Sequence, residues 1–382
     1  MYKIFISVIV VIGLLSACND CGKSAGELVK LSDSHKIKVG VFNGNGAGAV
    51  SVIETIEALK IDTGILATEI SPADILTSKI EEYDAVIFPG GSGSKELNSL
   101  GKLGRARIHK FIKEDGKGVI GICAGGYLLS NTPTYISLKI ASAKNIDRKH
   151  YARGRGLVQF SPNEKGLEIF PELKNQSCFV QYYDGPVLQP IDSLNPKYTE
   201  LATYVTDIHA NKGIPTGVTP GKTFLYHEDI EKGKIFVIAG HPESTPGMRW
   251  MVPRMARFVT GSKLVSYNPK WIRPELNDSA IMFVSDLKKY EKENFWKLLN
   301  DTVEVQLEAM DNLYNIRSRP AVRWSIGLLR DTSPEVRKHA AYLLKQTEYS
   351  DALPDLKTAL SIEADEAVKK QLQETIDFLE NP

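Results

Sequence analysis

The sequence predicts an α/β protein with an open, mostly parallel sheet and helices on both faces, followed by an all-α region of helical repeats. From Lys36 onward, short apolar runs alternate with helical stretches, and glycine-rich turns follow several of the runs. This alternation is typical of right-handed βαβ units in a parallel sheet. After Gly261 the strand signal fades and helical patterns take over. With 382 residues, 42% hydrophobic and 24% charged, the chain has an ordinary globular composition.

The elements of the α/β part are predicted in order along the chain. The first strand is Ile37–Phe42, and a glycine-rich turn, Asn43–Gly48, leads into a helix over Ala49–Leu59. Ser71 and Pro72 begin a short helix, because serine caps helices and proline fits their first turn. The other predicted elements are strands at Thr63–Ala67, Asp84–Phe88, Gly118–Ile122, Thr223–His227 and Lys234–Ala239, helices at Leu100–Glu114 and Pro246–Val259, and an antiparallel extension with loops between Tyr135 and Tyr183.

The chain from Ser279 onward is predicted to be helical. Val303–Leu329 and Ser333–Leu360 each have the pattern of a helix, a turn and a second helix, and Asp365–Leu379 supplies a further piece. These pairs resemble HEAT-like repeats, which stack one after another into an extended array. A plain helical bundle is the alternative. The predicted domains are therefore 36–262 for the α/β part and 279–382 for the helical part.

The first 35 residues predict export and a lipid anchor. Lys3 precedes the apolar run Ile4–Leu15, which is too short to span a membrane and predicts a signal peptide over residues 1–17. The end of this run and Cys18 resemble a bacterial lipobox, in which the cysteine is lipidated, and residues 18–35 are polar enough to form a tether. We therefore expect a lipid-anchored protein of the bacterial cell envelope, facing the periplasm or the exterior. A short buried helix or an uncleaved anchor is the alternative.

The charge and cysteine content limit the classes of partner and fold. Lysine and arginine number 47 and aspartate and glutamate 46, for a net charge of +1, which predicts no nucleic-acid partner. There are four cysteines: Cys18, Cys21, Cys123 and Cys178. Lipidation of Cys18 would leave an odd number, so these residues do not predict a disulfide framework. At least one cysteine would then remain unpaired outside the cytosol, and such a free thiol suggests a functional role.

Cys123 is the first candidate for such a function. It lies in Gly121–Gly125, where the pattern G-x-C-x-G after an apolar strand is the thiol form of a nucleophile elbow. The following helix would direct its N-terminus at the sulfur and favour the thiolate, and the N–H of Ala124 could stabilise an oxyanion. Gly91 in the loop after the neighbouring strand is predicted to supply a second N–H. A buried cysteine in an ordinary strand–helix turn is the alternative.

His241 is the predicted base for this thiol. It follows the strand Lys234–Ala239, and Glu243 comes two residues later, so an extended segment would direct both side chains to the same side. Glu243 could then bind the imidazole and set its tautomer. His241 and Cys123 both follow predicted parallel strands, at the edge where open α/β sheets have their sites. A loop histidine beside a proline turn is the alternative.

Four residues are predicted to bind substrate: Asn43, Gly90, Tyr183 and Asp184. Asn43 follows the first strand at the same sheet edge, and Gly90 lies beside the predicted oxyanion donor. Tyr183 and Asp184 end a strand-like run, where Asp184 could hold a substrate amine or hydroxyl; ordinary turns are the alternative. His241 and Glu243 stand alone rather than in a cluster with metal-ligand spacing, and no HExxH motif occurs, so no metal and no cofactor are predicted.

Three motifs together carry a family resemblance. FPGG at Phe88–Gly91, GICAGG at Gly121–Gly126 and GHPE at Gly240–Glu243 occur in this order at the ends of predicted strands. They resemble the class I glutamine amidotransferase superfamily, and Asn43-Gly44 and Tyr182–Pro186 make the N-terminal domain of eukaryotic biotin–protein ligases the most similar member. The resemblance covers about Lys36 to Gly261. It implies a flavodoxin-like amidotransferase fold and a triad of Cys123, His241 and Glu243.

The expected function follows from the triad and from what surrounds it. No synthetase domain that could accept ammonia is recognisable, and no biotin-ligase catalytic domain either. We therefore expect an envelope lipoprotein that hydrolyses or transfers an acyl group of a small amide or peptide through a thioester. The helical part is expected to bind a protein partner. The alternatives are a non-catalytic ligand- or partner-binding protein that keeps the fold, and a protein whose repeats act while the α/β domain is a scaffold.

Overall fold

The computed structural model describes residues 36–300 and 302–380. The predicted signal peptide, tether and lipidated Cys18 lie outside these residues. The described chain forms a largely parallel mixed sheet with helices, followed by a helical region, which confirms the predicted fold class. None of the helices in the described ranges is both long enough and apolar enough to span a bilayer.

Within the described ranges, twelve strands form one mixed sheet. Its main order is β12-β6-β9-β10-β11-β4-β3-β1-β2, with β7 paired to β6, β8 to β10 and β5 to β8. The strands are β1 (Ile37–Phe42), β2 (Ile65–Ile70), β3 (Ala85–Phe88), β4 (Gly118–Ile122), β5 (Ala143–Asn145), β6 (Arg155–Pro162), β7 (Cys178–Tyr183), β8 (Leu188–Pro190), β9 (Thr199–Tyr204), β10 (Thr223–Ile230), β11 (Gly233–Ile238) and β12 (Ile281–Met282).

The parallel half of the sheet positions the loops that carry the predicted site. β1 pairs in parallel with β2 and β3, and β4 lies in parallel between β3 and β11. All of β3 and β4 is buried, as expected for strands covered on both faces. Because neighbouring parallel strands end at the same edge, the loops after β3, β4 and β11 meet there. The other half of the sheet is antiparallel. Its β6–β7 pair lies between Tyr135 and Tyr183, where an antiparallel extension was predicted.

Helices cover both faces of the sheet and continue beyond it. Helices α1 and α6 pack on one face, and α2, α3 and α4 on the other. The helices are α1 (Ala49–Leu59), α2 (Pro72–Leu76), α3 (Gly93–Lys113), α4 (Ala124–Leu129), α5 (Glu164–Ile169), α6 (Met251–Val259), α7 (Ser285–Asn300), α8 (Val303–Asn315), α9 (Arg319–Leu328), α10 (Pro334–Gln346), α11 (Leu353–Ile362) and α12 (Glu366–Glu380).

The helical region shares a hydrophobic core with one face of the sheet. Buried side chains of α8, α10 and α12 belong to the same apolar cluster as those of α1 and α6. Polar contacts tie the two parts together: the N–H of Gly247 donates to Glu348 Oε1 over 3.0 Å, and Lys270 Nζ donates to the carbonyl of Phe378 over 2.7 Å. Glu348 is completely buried. The helices therefore pack on the α/β part as a continuation of its core.

Several element boundaries differ from the predicted ones. Helix α3 begins at Gly93 rather than Leu100, with a non-helical kink at Gly101 where φ is 59°. Glycine and serine are poor helix formers, which hid its first turns. The residues from Pro246 form turns before α6 begins. Strand β2 lies at Ile65–Ile70 rather than Thr63–Ala67, and the two-residue β12, too short for any periodicity, pairs with β6 where helix was predicted.

Candidate active site

Cys123 lies at a strained corner between β4 and α4. Its φ is 50° and its ψ is −98°, a combination that non-glycine residues rarely adopt and that costs conformational energy. The N–H of Cys123 donates to the carbonyl of Ile238 over 2.9 Å, which ties the corner to β11. A Cβ on Gly125 would lie 2.3 Å from the carbonyl oxygen of Phe88, so the close approach of β3 requires glycine there. The local geometry is that of a nucleophile elbow.

His241 and Glu243 form a buried pair at the end of the neighbouring strand. The distance from His241 Nδ1 to Glu243 Oε1 is 2.7 Å, and both side chains are almost fully buried. The segment is not extended as expected, because Pro242–Ser244 makes one turn of 3₁₀ helix. The turn is fixed by the N–H of His241, which donates to the carbonyl of Gln181 over 2.8 Å. The imidazole of His241 and the carboxylate of Glu243 are therefore brought together by a short turn, and not by an extended strand.

Ser51 in α1 connects this pair to the glycine loop after β3. Its hydroxyl donates to Glu243 Oε1 over 2.8 Å and accepts from the N–H of Gly90 over 2.9 Å. A Cβ on Gly90 would lie only 2.3 Å from Cε1 of His241. Gly90 is therefore in van der Waals contact with the imidazole, and its missing side chain leaves room for the ring.

The electrostatics of the pair favour a charged imidazole. Burial works against the charge, but the negative charges of Cys123 and Glu243 outweigh it and raise the pKa of His241 to about 10. Burial also opposes ionisation of Glu243, yet the charge and hydrogen bond of His241 hold the pKa of Glu243 below its usual value, with smaller contributions from Arg319 and Ser51. By contrast, burial raises the pKa of the Cys178 thiol to about 12. Burial therefore disfavours the thiolate form of Cys178, which is the reactive form of a cysteine.

The thiol of Cys123 points to a carbonyl rather than to the imidazole. Its Sγ donates to the carbonyl oxygen of Tyr183 over 3.4 Å. His241 Nε2 is buried and has no hydrogen-bond partner among the described residues. The ring of Tyr183 packs edge-on against that of His241, with centroids 5.5 Å apart. Catalytic hydrogen bonds are often unformed before substrate binds, so this arrangement is compatible with a thiol that turns to Nε2.

Two backbone N–H groups are free to stabilise an oxyanion beside the sulfur. Gly91 and Ala124 both line the cavity onto which Cys123 opens. Neither of their N–H groups donates a hydrogen bond to another described residue. Ala124 is the first residue of α4, where an N–H has no partner within the helix. Both predicted donors therefore lie at the cavity, and their part in binding an oxyanion stays a prediction.

The cavity has a volume of about 870 Å³ and contains most of the predicted site residues. Gly90, Tyr183 and Asp184 line it together with Cys123 and His241. Asp184 has a φ of 53° and accepts from the N–H of Gly154 over 3.0 Å, and burial raises its pKa. The wall residues are the backbone and side chains of Gly48, Ala49, Val50, Ser51, Ser92, Gly93, Ser94, Tyr127, Tyr135, Arg148, Lys149, Tyr151, Arg155 and Arg319, besides those already named.

Asn43 is the predicted substrate-binding residue that the structure does not bring to the cavity. Its side chain is exposed and donates from Nδ2 to Glu69 Oε2 over 2.8 Å, and it does not line the cavity wall. The turn after β1 approaches the site through Gly48 instead, whose N–H donates to the carbonyl of Gly90 over 2.8 Å. The fold therefore uses this turn to hold the glycine loop, and a substrate contact by Asn43 has no support in this geometry.

Two residues that were not predicted from the sequence adjoin the site, Arg319 and Glu54. Arg319 at the start of α9 forms an ion pair with Glu54 of α1 and also donates to Ser244 Oγ over 2.8 Å. Its guanidinium lies 5.1 Å from the centre of the Tyr183 ring. Glu54 is buried on the packed face of α1, one turn after Ser51. Ser51 and Glu54 are polar residues on the otherwise apolar face of α1, and this pattern could have indicated a functional role for them. No local sequence pattern indicates Arg319.

The described residues contain no group of three or more His, Cys, Asp or Glu side chains that could hold a metal ion. The site instead offers a thiol, an imidazole oriented by a carboxylate, and two backbone donors. This set can carry out nucleophilic attack on a carbonyl carbon with general acid–base assistance.

Two family models match the chain. Residues 37–141 match the model of the biotin-protein ligase N-terminal domain, and residues 294–377 match that of HEAT repeats. These matches confirm the predicted relationships of the two parts and support an amidotransferase-like fold for the first. The first match includes Gly91 and Cys123 but ends before His241 and Glu243.

Solved structures with similar folds are distant. A ThuA-like protein from Parabacteroides merdae has 12% identity and a TM-score of 0.42, over 62% of this chain and 99% of its own. A β-galactosidase from Bacillus circulans sp. alkalophilus has 14% identity and a TM-score of 0.36, over 61% of this chain and 32% of its own. A cytoplasmic protein from Salmonella typhimurium has 12% identity and a TM-score of 0.39, over 58% of this chain and 98% of its own. At these scores the similarities carry no functional information.

Proposed function

We propose that the protein is a thiol-dependent amide hydrolase or acyl transferase. The observation that supports it best is the buried pair of His241 and Glu243, 2.7 Å apart, whose free Nε2 lies at the same cavity as Cys123. Few structural roles require a strained cysteine, an oriented imidazole and two unused N–H groups at one cavity.

In the proposed mechanism the proton of the Cys123 thiol passes to His241 Nε2 first, and the resulting thiolate attacks the carbonyl carbon of an amide. The resulting oxyanion accepts hydrogen bonds from the N–H groups of Gly91 and Ala124. The imidazolium of His241 then donates its proton to the leaving amine as the C–N bond breaks, which leaves a thioester on Cys123. Water or an acceptor amine attacks the thioester with His241 as base, and the thiol is released. Glu243 keeps the ring oriented and supports its charge.

Site-resolved alkylation tests the activated thiol. The full chain is treated with iodoacetamide at neutral pH, and modification of the Cys123 peptide is followed by mass spectrometry, with N-acetylcysteine as the reference thiol. We expect Cys123 to react faster than the reference, and His241→Gln to slow it by at least about tenfold, because the thiolate loses its cationic partner. His109→Gln is the control, since this half-buried histidine bonds the carbonyl of Leu138 away from the cavity. A rate unchanged by His241→Gln would contradict the proposal.

Turnover is tested with a panel of small amides and dipeptides. Amine release and an acyl adduct on the Cys123 peptide after acid quenching are the expected results, and both should vanish in Cys123→Ser. Turnover that persists in Cys123→Ser would contradict a thioester mechanism.

A non-catalytic binding protein is the second candidate, and one observation favours it. The Cys123 thiol donates to the carbonyl of Tyr183 over 3.4 Å, which is a structural contact that a non-catalytic cysteine could also make. Under this alternative Cys123→Ala retains ligand binding, and no amide in the panel is consumed by the unmodified chain.

We also propose export and lipid anchoring, on the strength of the sequence alone. The signal peptide over 1–17, the lipidated Cys18 and the tether to residue 35 would place the protein in the bacterial cell envelope. Labelled palmitate should be incorporated into the full chain and not into Cys18→Ser; incorporation by the variant would contradict the anchor. A protein partner for the helical part remains part of this proposal, with co-purification from membranes as its test.

A further inference from the structure

The rim of the active-site cavity is basic. Four of its side chains carry positive charge, Arg148, Lys149, Arg155 and Arg319, whereas Asp184 is the only acidic side chain in the cavity wall as the described residues form it. Whether this excess reaches a ligand depends on which of the charges are already paired within the protein.

Two of the four positive side chains are paired with carboxylates of the protein itself. Arg319 forms an ion pair with the buried Glu54. Arg155 Nε lies 3.6 Å from Asp184 Oδ2, although the arginine side chain is 63% exposed. These two arginines therefore contribute little net charge to the cavity.

Arg148 and Lys149 form no ion pair with any described residue. Arg148 donates to the carbonyl and the hydroxyl of Thr134, both neutral groups, and stacks 5.8 Å from the centre of the Tyr135 ring. Lys149 is exposed and makes no hydrogen bond to a described residue. Their two charges are thus unbalanced at the rim.

The segment that carries Arg148 and Lys149 also contains an acidic residue, Asp147, which is already paired with other side chains. Asp147 accepts from His150 Nδ1 over 2.9 Å and forms an ion pair with Arg153, which is completely buried. The carbonyl of Ala152 accepts from Asn211 Nδ2 over 2.9 Å. The acid beside Arg148 therefore cannot neutralise it, and a cavity with low-dielectric walls concentrates the resulting field.

We propose that this cavity selects amides or peptides that carry a negatively charged group, which Arg148 and Lys149 attract and hold at the rim. The inference rests on the proposed function for the chemistry at Cys123 and adds the class of substrate. An anionic group bound at the rim would orient the carbonyl toward the sulfur, with the tyrosines of the wall in contact with the body of the molecule.

Two alkylating reagents that differ only in charge test this selection. Iodoacetate and iodoacetamide alkylate the Cys123 sulfur by the same reaction. The rate with iodoacetate is divided by the rate with iodoacetamide, first for Cys123 in the full chain and then for N-acetylcysteine. The first quotient divided by the second is the normalised ratio, and it isolates the effect of the cavity. We expect a normalised ratio of at least about three, falling toward one in 1 M NaCl, where the screening length is about 3 Å.

A matched pair of double variants identifies the charges responsible. Arg148→Gln with Lys149→Gln should bring the normalised ratio close to one. Lys165→Gln with Lys232→Gln removes two exposed lysines that do not line the cavity and should leave the ratio unchanged. A ratio at or below one in the unmodified chain, or an equal decrease in both double variants, would overturn the proposal.

Competition distinguishes the chemical source of the negative charge. N-acetylglycine should slow iodoacetamide labelling of Cys123 at lower concentration than the neutral N-acetylglycinamide; equal protection by the two would overturn the proposal. Protection by inorganic phosphate but not by N-acetylglycine would keep an anionic substrate and identify its group as a phosphate. Slow alkylation of Cys123 by both reagents counts against the activated thiol, whereas fast alkylation without charge preference counts only against the anionic substrate.

Discussion

At the level of single residues, the two neighbours Cys123 and Glu243 together set the pKa of His241. The pKa of His241 is raised to about 10, against burial, by the negative charges of Cys123 and Glu243. The stabilisation from the charged ring is therefore fully present below about pH 6.5, the ordinary histidine pKa, and is lost as the pH rises toward about 10. Cys123→Ser removes one of the two negative charges and should lower the pKa of His241.

An NMR titration of the His241 ring proton measures this effect. Cys178→Ser is the control, because this buried thiol is not among the groups that act on His241. An unchanged pKa in Cys123→Ser, or an equal decrease in both variants, would mean that the sulfur does not interact with the ring.

A second residue-scale prediction concerns the space beside the imidazole. Gly90→Ala places a methyl group 2.3 Å from Cε1 of His241, so the ring or the loop must move. We expect a loss of about 1–3 kcal/mol in the free energy of unfolding and a slower alkylation of Cys123. Gly327→Ala is the matched control, since its Cβ would meet nothing within 4 Å and alanine favours helix. Denaturant unfolding measures the loss of stability in both variants, and iodoacetamide labelling measures the reactivity of Cys123. An alkylation rate of Cys123 in Gly90→Ala equal to that of the unmodified chain would contradict the predicted contact.

At the level of elements, α9 completes the surroundings of the proposed triad. Arg319 at its start pairs with Glu54 and contacts Ser244, the residue after Glu243. Arg319→Gln leaves the buried Glu54 without its cation, which should cost about 2 kcal/mol of stability and slow Cys123 alkylation, whereas Arg319→Lys should restore part of both.

The control for this variant lies elsewhere in the helical region. Arg330 pairs with Asp355 over 3.0 Å on the exposed surface, so Arg330→Gln should cost less than about 1 kcal/mol and leave alkylation unchanged. If Arg319→Gln retains full Cys123 reactivity, Arg319 supports the fold and does not position the site.

Strands and helices with a local sequence pattern could be predicted from the sequence. Contacts between side chains that are far apart in the chain depend on tertiary packing and could not be predicted. The strands before Cys123 and His241 could be predicted because an apolar run followed by small residues indicates a strand end. The ends of parallel strands then predicted that these two residues meet. The contact between Arg319 and Glu54 could not be predicted, because the two positions are far apart in the chain and neither lies in a motif. Asn43 follows a strand at the same sheet edge, yet its side chain binds Glu69 outside the cavity.

At the level of the whole molecule, the shared core predicts that the α/β part and the helical region unfold as one unit. Buried residues of α10 and of the sheet belong to one apolar cluster, and Glu348 is buried against Gly247 and Arg273. A region that opened separately would expose this apolar surface to water and would break the contacts of Glu348 with Gly247 and Arg273. Amide hydrogen exchange in β4 and in α10 should therefore report the same free energy of opening.

Leu344→Ala tests this coupling at a distance from the site. Leu344 in α10 is completely buried in the shared cluster, so the variant should lose about 2–5 kcal/mol. If the core is one unit, protection of the β4 amides falls by the same amount as protection of the α10 amides. Ile362→Ala at the end of α11 is the control, since its side chain is 73% exposed and its loss should leave both regions unchanged. A loss of protection confined to the helices would mean that they open independently, and Arg319 would then leave the site without global unfolding.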